Sequence, residues 1–163
     1  MPSEYHEYIP EYCINSSDII VNSSGISMYA GGVTDAIESL SVPITLSMCY
    51  NTGNIAVRST TSSSVIGGIS GWEISNTEGN TAISWCYDTG TMSLDSPFMS
   101  DIGGIAGSSV CNTDGMLTLM NNYNIRDIYA DDENTDGITD SIHLNNPKYR
   151  QSNQTTTELT HAR

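Results

Sequence analysis

Basic residues are almost missing from this chain: five Lys and Arg stand against nineteen Asp and Glu, a formal net charge of −14 over 163 residues. Lys148 is the sole lysine. Binding to DNA or RNA rests on neutralising phosphates with Lys and Arg, so this balance argues against nucleic acid as a partner. An anionic membrane surface would be repelled for the same reason. Long apolar runs are missing too, and no stretch reaches the length that crosses a bilayer, so membrane insertion is not expected. The amino-terminal stretch carries Glu4, Glu7 and Glu11 and has neither the cationic nor the apolar region of a secretory signal. The expectation is a leader already removed, or a segment of a longer chain.

Helix signals are equally scarce. Nowhere do good helix formers carry apolar residues at three- and four-residue spacing, so helix should be nearly absent. A single Phe leaves a thin core to Ile, Val, Leu and Met. The four cysteines, Cys13, Cys49, Cys86 and Cys111, include no close pair, which removes the spacing that a zinc site needs. The surplus acid that remains suits a well-hydrated extracellular protein, or one that binds cations.

What the chain does have is an internal repeat. Cys49-Tyr50-Asn51-Thr52-Gly53 recurs as Cys86-Tyr87-Asp88-Thr89-Gly90, and each is followed by a double-glycine string, Gly67-Gly68-Ile69-Ser70-Gly71 and Gly103-Gly104-Ile105-Ala106-Gly107. Cys13-Ile14-Asn15 lies 36 residues before Cys49, Asn122-Tyr123-Asn124 lies 36 after Cys86, and the middle spacing is 37. Apolar positions keep the register. Ile19, Ile55, Met92 and Ile128 form one column, Val21, Val57, Leu94 and Ala130 another; Leu46, Ile83 and Leu119 form a third, with Ile44, Thr81 and Leu117 two residues earlier. Steps of two are strand spacing.

Each copy thus carries three candidate strands: one after the cysteine motif (Ile55 to Val57), one through the glycines (Val65 to Trp72) and one leading to the next cysteine (Thr81 to Trp85). Turn formers separate them, as in residues 59–64 and 76–80. A unit that cannot bury its apolar face alone must stack on its neighbours. The expected fold is all-β, a right-handed parallel β-solenoid of about four coils with a 36–37 residue repeat, its equivalent residues stacked at about 4.8 Å. The alternative is a closed antiparallel repeat fold such as a β-trefoil or β-prism. At this length one domain is expected. It divides into an amino-terminal cap or linker over 1–12, the four-copy repeat over 13–145 and a polar tail over 146–163.

Paired glycines at one place per copy mark a tight bend or a close approach of backbone between faces. Cys13, Cys49 and Cys86 share a column, where parallel side chains would strain a disulfide, so buried free thiols are expected.

The strings Cys49-Tyr50-Asn51-Thr52-Gly53-Asn54-Ile55 and Gly68-Ile69-Ser70-Gly71, with Gly104-Ile105-Ala106-Gly107, resemble the GLUG repeat of bacterial immunoglobulin A peptidases and many large surface proteins. The resemblance spans residues 47 to 121. Copies one and four depart from it, because Val33-Thr34-Asp35 and Ile138-Thr139-Asp140 lack the last glycine. It implies an extracellular or cell-surface location and a structural, stalk-like or adhesive role, with no catalytic residues to carry over.

Nothing in the residues themselves points to catalysis. Arg58, Arg126 and Lys148 fall in different copies and columns, and His6, His143 and His161 sit near the ends with no paired nucleophile. One segment follows the order of a calcium loop: Asp132, Asn134 and Asp136 at positions one, three and five, Gly137 at six and Asp140 at nine. Position twelve is His143, without the carboxylate such a loop requires, and Gly137-Ile138 also aligns with Gly68-Ile69 as ordinary strand. Asp132, Asn134, Asp136 and Asp140 are therefore the metal candidates, and calcium is the sole cofactor in view.

The sequence reads as a non-catalytic, secreted or surface-displayed structural or adhesive repeat module. Its expected partners are further copies of itself, stacked head to tail into a filament, or a host or cell-surface glycan or protein. The alternative is a calcium-stabilised glycan-binding adhesin domain. Tyr50, Tyr87 and Tyr123 decide between core and binding face: pointing outward they suit stacking on sugar, pointing inward they are core.

Overall fold

The computed structural model describes residues 11–25, 27–40, 42–75, 79–96, 101–111, 116–124, 128–130, 135–136, 139–144 and 150–152. Among the described residues strands come in groups of five, once per repeat. The first coil holds β1 (Ile14–Asn15), β2 (Ile19–Ser23), β3 (Met28–Gly31), β4 (Thr34–Ser39) and β5 (Ile44–Ser47). The second holds β6 (Tyr50–Asn51), β7 (Ile55–Ser59), β8 (Ser64–Gly67), β9 (Ser70–Ser75) and β10 (Asn80–Ser84). The third holds β11 (Tyr87–Asp88), β12 (Met92–Asp95), β13 (Asp101–Gly103), β14 (Ala106–Cys111) and β15 (Met116–Met120). The fourth holds β16 (Tyr123–Asn124), β17 (Ile128–Ala130), β18 (Thr135–Asp136), β19 (Thr139–Leu144) and β20 (Arg150–Ser152). Among the described residues there is no helix.

Each strand pairs with its equivalents in the coils above and below, giving five parallel four-stranded sheets such as β1-β6-β11-β16 and β2-β7-β12-β17. Ile55 pairs with Ile19 on one side and Met92 on the other, and Met92 pairs with Ile128. Leu46, Ile83 and Leu119 align in the same way. Residues one repeat apart are direct hydrogen-bonding neighbours, which a threefold closed fold would forbid. The chain is a parallel β-solenoid. Stacking also extends past 13–145, since Glu11 bridges to Ser47 and β20 pairs with β15.

One expectation needs correcting. The strand anticipated from Val65 to Trp72 is two strands, β8 and β9, broken at the glycine pair. The backbone turns so tightly there that a Cβ on Gly67 would stand 2.7 Å from both the Ser70 carbonyl carbon and the Gly107 amide nitrogen. The cysteine motif adds a short strand of its own, making five per coil in place of three.

Alternation along β7 and β12 turns Ile55, Val57, Met92 and Leu94 inward. The interior forms two separate clusters. One gathers Ala30, Ile55, Val57, Ile66, Met92, Leu94 and Ile102; the other gathers Ile37, Leu46, Cys49, Ile69, Ile83, Cys86, Ile105, Ala106 and Leu119. Each fully buried aliphatic side chain of this size stabilises by about 1.5–3 kcal/mol, so stacked columns supply most of the driving force. Between the clusters runs a polar waist, where the second glycine of each pair meets the residue after the tyrosine position. A Cβ on Gly32 would lie 2.7 Å from the Asn51 Cβ, and one on Gly68 would lie 2.6 Å from the Asp88 Cγ. Glycine is required at these places because the backbone of one face touches side chains from the other.

Candidate functional site: an aromatic ridge over a polar ladder

The cysteine motif forms one corner of every coil. The residue before the cysteine position adopts a left-handed backbone in all four coils: Tyr12 (φ 59°), Met48 (φ 52°), Trp85 (φ 56°) and Asn121 (φ 54°). This reverses the chain so that the next residue points inward. Cys13, Cys49 and Cys86 follow it as free thiols, Cys49 and Cys86 fully buried. Their Sγ atoms donate to the Ser47 carbonyl at 3.2 Å and the Ser84 carbonyl at 3.4 Å. Burial raises the Cys49 thiol above its ordinary value and pushes the Cys86 thiol up to about 12. Neither thiol is a nucleophile. In the fourth coil Asn122 takes the cysteine's place, accepting the Cys86 amide at 2.9 Å and donating to the Ile83 carbonyl at 2.8 Å.

The next inward position builds a ladder of polar side chains. Asn15 Nδ2 donates to Asn51 Oδ1 at 2.8 Å, and Asn51 Nδ2 donates to Asp88 Oδ1 at 2.8 Å. Each asparagine also closes its own turn. Asn51 Nδ2 donates to the Gly53 carbonyl at 2.9 Å while Oδ1 accepts the Gly53 amide at 3.3 Å; Asn15 does the same with Ser17 at 3.0 and 3.1 Å. Asp88 pairs with Asn124 along β11 and β16, so all four coils contribute a rung.

The outward positions carry Tyr12 and Ile14, Met48 and Tyr50, Trp85 and Tyr87, then Asn121 and Tyr123. Ile14, Tyr50, Tyr87 and Tyr123 are strand partners in one column. Tyr12 is 65% exposed, Ile14 70%, Trp85 54% and Tyr123 38%. Tyr50 and Tyr87 meet edge to face, ring centres 6.3 Å apart at 72°. A second aromatic pair lies elsewhere on the coil surface: Tyr29 and Trp72 stack at 4.6 Å and 14°, both half-buried. The tyrosines of the cysteine motif therefore point outward.

Arg58 meets Asp95 at 3.1 Å, with both side chains well exposed, in a plain surface ion pair. Arg126 and Lys148 lie outside the described residues, as do His6 and His161. His143 lies in β19. No group of three or more His, Cys, Asp or Glu side chains that could hold a metal occurs among the described residues. Of the calcium candidates, Asp132 and Asn134 lie outside the described residues. Asp136 pairs with Gly103 in β18, and Asp140 lies in β19, so the register of the repeat runs through both.

Sequence reasoning missed the left-handed column and the ladder. Their signal was present as a large side chain directly before each cysteine and as Asn15, Asn51, Asp88 and Asn124 two residues after the cysteine column. No family model, curated protein or solved structure matches this chain, so the resemblance to the GLUG repeat rests on the motifs alone.

Proposed function

We propose that this chain is a non-catalytic structural and adhesive module, displayed outside the cell, whose contact surface is the aromatic ridge and whose ligand is an uncharged glycan. One observation carries the reading. Tyr12, Met48 and Trp85 are bulky residues at left-handed backbone positions, which glycine or asparagine fills most cheaply, and two of the three are more than half exposed. Folding gains little from them there. Rings repeated on successive coils give an amphipathic strip suited to sugar faces. The ridge residues carry no charge, and a net charge of −14 would repel acidic polysaccharides. The GLUG resemblance agrees with a surface location.

Co-sedimentation with insoluble neutral polysaccharides, cellulose and chitin among them, tests the reading. Retention by at least one of them should be lost in Trp85→Ala and Tyr87→Ala while circular dichroism is unchanged. No retention, or retention indifferent to both substitutions, would reject it.

Head-to-tail assembly is the second reading, favoured by the state of the first coil. Cys13, Ile19 and Val21 are only partly buried where their equivalents Cys49, Ile55 and Val57 are enclosed. A second copy stacked beneath them would continue each column, Asn124 onto Asn15 and Ile128 onto Ile19. Sedimentation velocity at rising concentration decides this reading: growth into longer species supports it, a monomer throughout rejects it.

A further inference from the structure

The ladder has a flaw in its third rung. Asn51 and Asp88 occupy equivalent places and use Oδ1 identically, each accepting the amide two residues on at 3.3 Å. Asp88 Oδ2 therefore stands where Asn51 has Nδ2. In coil two that nitrogen donates to the Gly53 carbonyl and to the next rung. In coil three the place of the Gly53 carbonyl is taken by the Gly90 carbonyl, which offers only oxygen, and the next rung is Asn124. Asp88 is fully buried, and its Oδ2 has no hydrogen-bond partner. A carboxylate there sets oxygen against oxygen in a dry waist, which is costly.

We propose that Asp88 is a proton-operated latch: with a proton on Oδ2 the side chain donates to the Gly90 carbonyl, as Asn51 donates to the Gly53 carbonyl, and loss of that proton loosens the corner between coils three and four. The proton comes from solvent and returns to it. The surroundings leave burial as the controlling influence. On β6 the neighbours are Tyr50, facing outward, and Asn51; on β16 they are Tyr123, facing outward, and Asn124. Gly68 and Gly104 approach from the opposite face, with Asp101 at the far end of β13, and Cys86 lies two residues back with a raised thiol. Among the described residues no cation stands beside these groups; Arg126, two residues after Asn124, lies outside them. Burial raises the Asp88 carboxyl to about 7, against the lowering effect of the Asn51 and Gly90 hydrogen bonds. Because the folded chain holds this proton more tightly than the unfolded one, stability is fullest below the ordinary aspartate range and falls as pH rises toward 7. The latch acts on the fold of the corner and is independent of what the ridge binds.

Thermal unfolding of the full chain between pH 5 and pH 8 tests the latch, beside Asp88→Asn and the surface control Asp95→Asn. The melting temperature of the wild type should fall across this window, Asp95→Asn should fall with it, and Asp88→Asn should give a flatter profile and melt higher at pH 8. Parallel profiles for the wild type and Asp88→Asn would overturn the proposal. So would a rise with millimolar calcium at pH 8 in the wild type alone, since a cation would then be filling the gap. Should Asp88→Asn not fold, carbon-13 titration of the Asp88 carboxyl decides: a midpoint within about one unit of 7 supports the latch, and an ordinary aspartate midpoint overturns it.

Discussion

Gly68 and Asp88 face each other across the waist of the coil so closely that a Cβ on the glycine would stand 2.6 Å from the Asp88 Cγ. The glycine pair and the cysteine motif, 20 residues apart in sequence, are two halves of one contact. Gly68→Ala should destabilise by roughly 1–3 kcal/mol, because the Asp88 rung and the Gly104 backbone must both move. Gly25→Ala, with nothing within 4 Å, should change stability by less than about 0.5 kcal/mol. Urea unfolding of both variants measures the contrast.

Asn51 is the rung with every bond made. Asn51→Ala removes two donors and an acceptor from a buried site, and should cost about 1–3 kcal/mol through the Gly53 backbone and Asp88 left behind. Asn51→Asp keeps the shape but places a second carboxyl beside Asp88. Its deficit should be larger at pH 8 than at pH 5, since like charges 2.8 Å apart resist joint ionisation.

The left-handed column can be tested by glycine. Met48→Gly and Trp85→Gly should hold or raise the unfolding free energy, by up to about 1 kcal/mol, because φ near 50–60° suits glycine and strains other residues. Met48→Val should lower it, since a β-branched residue tolerates positive φ worst. Equal losses in all three variants would show that side-chain packing at the corner outweighs backbone strain.

The buried thiols should be silent. In a Cys111→Ser background at pH 8, a thiol reagent should label the partly exposed Cys13 and leave Cys49 and Cys86 untouched until the chain unfolds, because burial holds both in the protonated form. Rapid native labelling of three thiols would contradict the column of enclosed cysteines.

Much of the architecture could be read without coordinates, and the reason is physical. In a parallel solenoid the translation that relates coils also relates sequence copies, so Ile19, Ile55, Met92 and Ile128 announce their contact by recurring at one offset. Period-two alternation likewise placed Ile55 and Val57 inside. Within one coil no such rule operates. That Gly68 meets Asp88, that Ile66 and Ile69 belong to different clusters, and that the strand through the glycines breaks in two depend on how the chain bends around its own cross-section, to which the repeat is blind. The direction of Tyr50 and Tyr87 was undecided for the same reason: alternation fixes only relative sides, and the left-handed residue before each cysteine chooses which side is in. The repeat alone determined which residues stack; the tertiary structure decided what each stack faces, and so turned one aspartate among asparagines from a routine substitution into a buried acid with one oxygen unpartnered.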